Sequence, residues 1–128
     1  MYNVIVADDE KNIREGIVEL IEWEKLGCKV CASMQNGAQV LKYLEEEKIH
    51  VDIIITDIKM PIMDGMELIG MLNERFPDIK VIILTAYSDF TYAQQAIKFQ
   101  VSDFVVKNDF FLELPRAVKK IIEQCEVD

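Results

Sequence analysis

Short runs of aliphatic and β-branched residues alternate along the chain with longer stretches whose apolar positions recur every three or four residues. Val4-Ile5-Val6-Ala7, within Tyr2 to Ala7, is the first such run, and it stops at Asp8-Asp9-Glu10. Ile53 to Thr56 and Val81 to Leu84 read in the same way, as buried central strands without a charge. Lys29 to Ser33 is a weaker strand nearer a sheet edge, and Phe104-Val105-Val106 is the fifth. Between the first two strands, Ile13, Ile17, Leu20 and Ile21 follow i, i+4, i+7, i+8 and predict an amphipathic helix from Lys11 to Trp23, closed by Glu24 to Gly27. Asn36-Gly37 opens a second helix through Leu41 and Leu44 to about Glu47. The turn signal Asp64-Gly65 opens a third over Met66 to Arg75, and Phe76-Pro77-Asp78 ends it. Phe90 to Phe99 carries the least core-like helical pattern. Leu114, Val118, Ile121, Ile122 and Cys125 mark the last helix, with Pro115 tolerable only in its first turn. Strand and helix alternate five times, which predicts an α/β fold, a parallel sheet with helices on both faces.

At 128 residues the chain reads as one domain, residues 1–128, large enough to need no disulfide or metal staple. Hydrophobic residues make up 51%, but no apolar run is long enough for a membrane span, and the first run ends too early for a signal peptide. The formal net charge of −9 opposes direct contact with nucleic acid, whose phosphates are gripped by Lys and Arg. Cys28, Cys31 and Cys125 cannot all pair within one chain, so reduced thiols in a cytoplasmic setting are expected. Cys28 and Cys31 spell C-x-x-C, yet on one strand that spacing sends them to opposite faces, which argues against a metal or redox pair. His50, the sole histidine, falls in a polar connector and reads as an exposed loop residue.

Chemistry concentrates where the strands end. Asp8-Asp9, Asp57, Thr85 and Lys107 follow four different strands, and in a parallel sheet those carboxyl ends share one rim, the usual place for ligands. Three crowded carboxylates raise one another's pKa unless a cation neutralises them, and hard oxygen ligands suit Mg²⁺. A lysine and a hydroxyl beside a metal-bound carboxylate suit a phosphoryl group, and an aspartate can itself be the nucleophile.

VIVADDE, IIITDIKMPIMDG, VIILTAY and FVVK resemble, in order and spacing, the successive motifs of the receiver domain of two-component response regulators. The resemblance covers essentially the whole chain. It implies a doubly wound, flavodoxin-like (βα)5 fold with strand order 2-1-3-4-5. Asp57 then accepts phosphate from a sensor histidine kinase, and Mg²⁺ is held by Asp9, Asp57 and the backbone carbonyl of Lys59, with Asp8 acting largely through water. Thr85 and Lys107 bind phosphoryl oxygens, and Thr85 with Phe104 forms the switch. The face made by the Phe90–Phe99 helix, the fifth strand and the last helix is the regulated surface and a candidate homodimer interface. AYSDFTYAQQAIK also resembles receivers that precede AraC-type DNA-binding domains, which implies transcription regulation through an output domain in a longer chain. The protein is then a switch that promotes its own phosphotransfer and dephosphorylation, not an enzyme acting on outside substrates. Two departures stand out. Asn108 follows Lys107 where the family usually has proline, so a trans bond is expected, and Phe104 replaces the commoner tyrosine. A pseudo-receiver is opposed by retention of all five site residues. A flavodoxin-like cofactor binder is opposed by the lack of a Ser/Thr/Gly-rich loop after the first strand. A metal-dependent phosphatase is opposed by Lys59, which stands where a second acid is required.

Overall fold

The computed structural model describes residues 1–86, 89, 91, 94 and 101–127. Five parallel strands, β1 (Tyr2–Ala7), β2 (Cys28–Met34), β3 (Ile53–Asp57), β4 (Lys80–Thr85) and β5 (Asp103–Val106), form one sheet in the order β2-β1-β3-β4-β5. The described helices are α1 (Lys11–Leu20), α2 (Gly37–Glu46), α3 (Gly65–Arg75) and α4 (Phe110–Val127). Most of the Phe90–Phe99 stretch lies outside the described residues.

Alternation along the strands sorts the core into two layers. Val4, Val6, Ile53, Ile55, Ile82, Leu84 and Val105 pack with Ile17 of α1 and Leu114, Val118 and Ile121 of α4. Ile5, Ile54, Val81 and Ile83 face the other way, onto Val40 and Leu41 of α2 and Leu68, Ile69 and Leu72 of α3. Helices therefore cover both faces, and the central strands are buried along nearly their whole length, as their uncharged sequences predict. Cys28 joins the first layer and Cys31 packs against the second. The C-x-x-C spacing thus separates the thiols, and all three cysteines are free.

Local chemistry fixes two of the four described helix starts. Asn36 accepts the Gln39 N–H at 2.9 Å at the head of α2, and Asp64 with Glu67 forms a reciprocal capping box at the head of α3. Gly65 is obligatory for steric reasons: its N–H donates to the Ile58 carbonyl at 2.7 Å, and a Cβ there would run into the carbonyl oxygen of Asp57.

Two expected boundaries are corrected. The first helix stops at Leu20, short of Trp23, and Ile21 is extended before a short 3-10 turn over Trp23–Leu26. The Trp23 indole N–H turns back to the Ile17 carbonyl at 3.0 Å, satisfying one of the acceptors that a helix end leaves open. Leu20, placed on the buried face by its spacing, is 57% exposed. Gly27 does act as the stop, for this 3-10 turn, at φ 76°. The last helix begins earlier than its apolar pattern suggests, running on from a 3-10 turn at Lys107–Asp109, so Pro115 lies inside it beyond the first turn. The intrahelical bond that Pro115 cannot make is the one to the carbonyl of Phe111, an exposed residue within reach of water.

Candidate functional site

Strand register brings the expected residues together. Ala7 pairs with Thr56, so the next residues, Asp8 and Asp57, emerge side by side from β1 and β3. This is where the strand order reverses: β1 leads outward to β2, whereas β3 begins the opposite half of the sheet. Asp57 pairs with Leu84, and Thr85 with Val106, so Thr85 and Lys107 extend the same rim.

The Lys107 ammonium is the centre of the cluster. It lies 2.8 Å from Asp57 Oδ2, 2.8 Å from Glu10 Oε1, and 3.4 and 3.2 Å from the two oxygens of Asp8. Asp57 Oδ1 accepts the N–H of Ile58 at 2.7 Å. Asp8, Asp57, Thr85 and Lys107 are all buried, while Asp9 is exposed at the mouth. Burial pushes the Asp8 carboxyl up to about 6, with the Asp57 charge adding to the shift and Lys107 only partly offsetting it. Asp57 is also raised, chiefly by burial, despite its bond to Lys107. Burial opposes the charge on Lys107, but its bonds to Asp57 and Glu10 outweigh that and hold the ammonium more firmly protonated.

The donor set fits a divalent cation. Asp8, Asp9 and Asp57 each offer an oxygen, and these atoms all lie within 4.8 Å of one another. Asp8 Oδ2 is buried and accepts no hydrogen bond, since its approach to Lys107 is close but poorly directed. A carboxylate oxygen in that condition is costly unless something positive completes it.

The remaining predicted residues are placed less directly. The Thr85 hydroxyl stands on the rim and donates to the Ala86 carbonyl at 3.1 Å. Phe104 is partly buried on β5, against the layer that contains α2 and α3. The Lys59 side chain points along the rim to Asp89, 2.8 Å away. The Lys107–Asn108 bond is trans, as expected without proline, and Lys107 still reaches the cluster. Sequence reading missed Glu10 as a member of the site. Its signal was a glutamate, a poor capping residue, standing directly before a helix. His50 is exposed as expected, but it has a partner, Asp52, at 3.1 Å.

A switch-point cluster of buried acids around one lysine, on a 2-1-3-4-5 parallel sheet, defines a phosphoacceptor switch of the receiver class. Residues 4–119 match the family model described as the response regulator receiver domain, and the chain belongs to that family. It is 38% identical over 126 residues to the uncharacterized transcriptional regulatory protein YesN of Bacillus subtilis, covering 98% of this chain and 34% of that one. It is 30% identical to the transcriptional regulatory protein HptR of Staphylococcus aureus, covering 97% of this chain and 49% of HptR. The chain thus spans between a third and a half of the length of these relatives. Among solved structures, the receiver domain of AraT, a response regulator from Geobacillus stearothermophilus, superimposes with a TM-score of 0.85 at 37% identity, covering 98% of both chains. The DNA-binding response regulator of the LuxR family from Staphylococcus aureus superimposes with a TM-score of 0.82 at 29% identity, over 94% of this chain and 98% of that one.

Proposed function

We propose that Asp57 is the phosphoacceptor of this receiver domain and that its donor is the phosphohistidine of a sensor kinase. The observation that carries this reading is the buried Asp57–Lys107 contact at 2.8 Å, at the point where the sheet reverses its strand order. An oxygen of the Asp57 carboxylate attacks phosphorus, the bond from phosphorus to the donor nitrogen breaks, and the imidazole leaves with its electron pair. Lys107 transfers a hydrogen bond from the carboxylate to a phosphoryl oxygen, and the Thr85 hydroxyl turns from Ala86 to donate to another. Asp8, Asp9, Asp57 and the Lys59 backbone carbonyl are the groups that would hold Mg²⁺, which supplies charge neutralisation for the crowded carboxylates and the phosphoryl oxygens. Burial keeps bulk water from the acid until a donor docks.

Phosphorylation then shifts a population between two states through Thr85 and Phe104 toward the face that includes β5 and α4. The rest of the Phe90–Phe99 part of that face lies outside the described residues, and a homodimer through it belongs to the same proposal. The domain is read as the front of a longer transcription regulator whose output domain contacts DNA. Its own charge of −9 supports leaving that contact to another domain. Among the described residues no helix is long and apolar enough to cross a membrane; the cytoplasmic location is part of the proposal and rests on the family and the free cysteines. The test is incubation with Mg²⁺ and a small phosphodonor followed by intact mass. The expected result is a gain of one phosphoryl group that needs the metal; no gain with the metal present refutes the reading.

A further inference from the structure

Glu10 occupies the residue position immediately before α1, yet its side chain makes no capping bond to that helix. Instead it reaches to Lys107, 97 residues away in sequence, at 2.8 Å. Arg14, one turn further on, is engaged elsewhere, donating to the Asp8 carbonyl at 2.7 Å. Glu10 is thus bound to the lysine of the site, and it is the outlying member of the cluster. Its side chain is 60% exposed, against 0% for Asp8 and 7% for Asp57.

An ammonium has three N–H donors. Those of Lys107 face three carboxylates, from Asp8, Glu10 and Asp57, so the resting lysine has no donor left over for an incoming phosphoryl oxygen. One acceptor must yield or share. Asp8 is enclosed and cannot reach water, and Asp57 is tied down at its other oxygen by the Ile58 N–H. Glu10 alone can rotate into solvent at little cost, and an arriving phosphoryl group, negative like itself, repels it. Its release point is the start of α1, where the first-turn N–H groups carry partial positive charge.

We propose that Glu10 is a positioning residue that holds Lys107 over the site in the resting state and gives up that bond to a phosphoryl oxygen when Asp57 is modified. The proposal rests on the reading of Lys107 as a phosphoryl ligand. Glu10 therefore sets how strongly the resting site resists an anionic ligand, without touching the reacting atoms.

The test compares wild type, Glu10→Gln, Lys107→Met and the double variant, using beryllium fluoride with Mg²⁺ as a phosphoryl mimic and acetyl phosphate as donor. Glu10→Gln removes the competing charge and is expected to tighten beryllium fluoride binding about threefold at low salt, in keeping with an exposed ion pair. The same factor is expected in the KM for acetyl phosphate with kcat little changed, and it fades in concentrated salt. In the Lys107→Met background, Glu10→Gln is expected to have no further effect on a much weakened affinity. A purely structural role would leave the salt dependence and the KM effect absent. Unchanged or weaker binding in Glu10→Gln, with Lys107→Met still impaired, overturns the proposal and leaves the phosphoacceptor reading standing. Wild-type affinity in Lys107→Met instead removes the lysine's phosphoryl role, and the Glu10 proposal falls with it.

Discussion

Two aspartates bracket β3, and they live differently. Asp52, just before the strand, accepts the Asn3 N–H at 2.8 Å on one oxygen and faces His50 at 3.1 Å with the other. Its own backbone completes the edge, donating to Asn3 and accepting from Lys80, both at 2.9 Å. Asp57, at the far end, also has both oxygens occupied, so hydrogen-bond satisfaction does not separate the two. Crowding does. Asp57 is buried beside Asp8 and Asp9, with Lys107 shared among its neighbours, while Asp52 is partly open to solvent and, among the described residues, belongs to no such cluster of acids. A carboxylate that tidies a strand end is local and paired. One gathered with other acids at the sheet's switch point is kept short of positive charge until a ligand supplies it.

The largest effect expected from this contrast is on phosphorylation itself. Asp57→Asn should abolish the Mg²⁺-dependent mass gain, whereas Asp52→Asn should leave it intact. A gain that persists in Asp57→Asn places the acceptor elsewhere.

Next in size is the consequence of removing the shared cation. Lys107→Met leaves buried carboxylates uncompensated and is expected to cost about 3–5 kcal/mol in urea unfolding of the metal-free protein. Added Mg²⁺ should restore part of that loss. A metal-free variant as stable as wild type would mean that the cluster is solvated and the contrast between the two strand ends is false.

A smaller effect is expected with pH. Asp8 is raised by burial to about 6, from an ordinary value near 3.8, so between those values the folded chain holds a proton that the unfolded chain has lost. Stability from this group is therefore present at low pH and is lost as pH rises through about 6. Asp57 is shifted in the same direction. The melting temperature of metal-free wild type, measured relative to Asp8→Asn, should fall across pH 4–6 and level off above. A difference that rises over that window reverses the sign of the argument.

The subtlest expectation concerns how long the phosphate survives. By family resemblance, Lys59 and Tyr87 flank the approach of an attacking water, and neither is an acid or amide that readily orients one. Lys59 pairs with Asp89 at 2.8 Å, while Tyr87 lies outside the described residues. Slow self-dephosphorylation, over minutes or longer, is predicted, and Lys59→Asn with Tyr87→Glu should shorten it. Wild-type decay within seconds, or an unaltered double variant, would remove these side chains from control of the water.

Much of this was readable from residues because strand ends and register are set by local pattern. Uncharged runs bounded by acids located β1 and β3, and their parallel pairing was enough to bring Asp8 and Asp57 together. Patterning failed where a side chain decided the outcome. The apolar spacing continues through Leu20 and Ile21, but the helix ends at Leu20, and the Trp23 indole takes up the Ile17 carbonyl that the end leaves open. Pro115 argued for a helix start close to itself, whereas the chain turns helical directly after Lys107 and carries the proline inside. Glu10 was missed because its contact depends on reach across the fold, to Lys107 just past β5, whereas the His50 contact is local, to Asp52 two residues on, and no periodic pattern signals it.

The distance in sequence between the acids and their lysine also matters while the protein is being made. Lys107 lies 50 residues after Asp57 and 99 after Asp8. At translation rates of about 5–20 residues per second, roughly 3–10 s pass between synthesis of the acceptor and synthesis of its counter-ion. During that interval the nascent β1–β3 unit carries its aspartates without the lysine that neutralises them in the finished fold. Assembly of the sheet's centre on the ribosome is therefore expected to depend on the ionic composition around the tunnel exit, a dependence that ends once β5 docks.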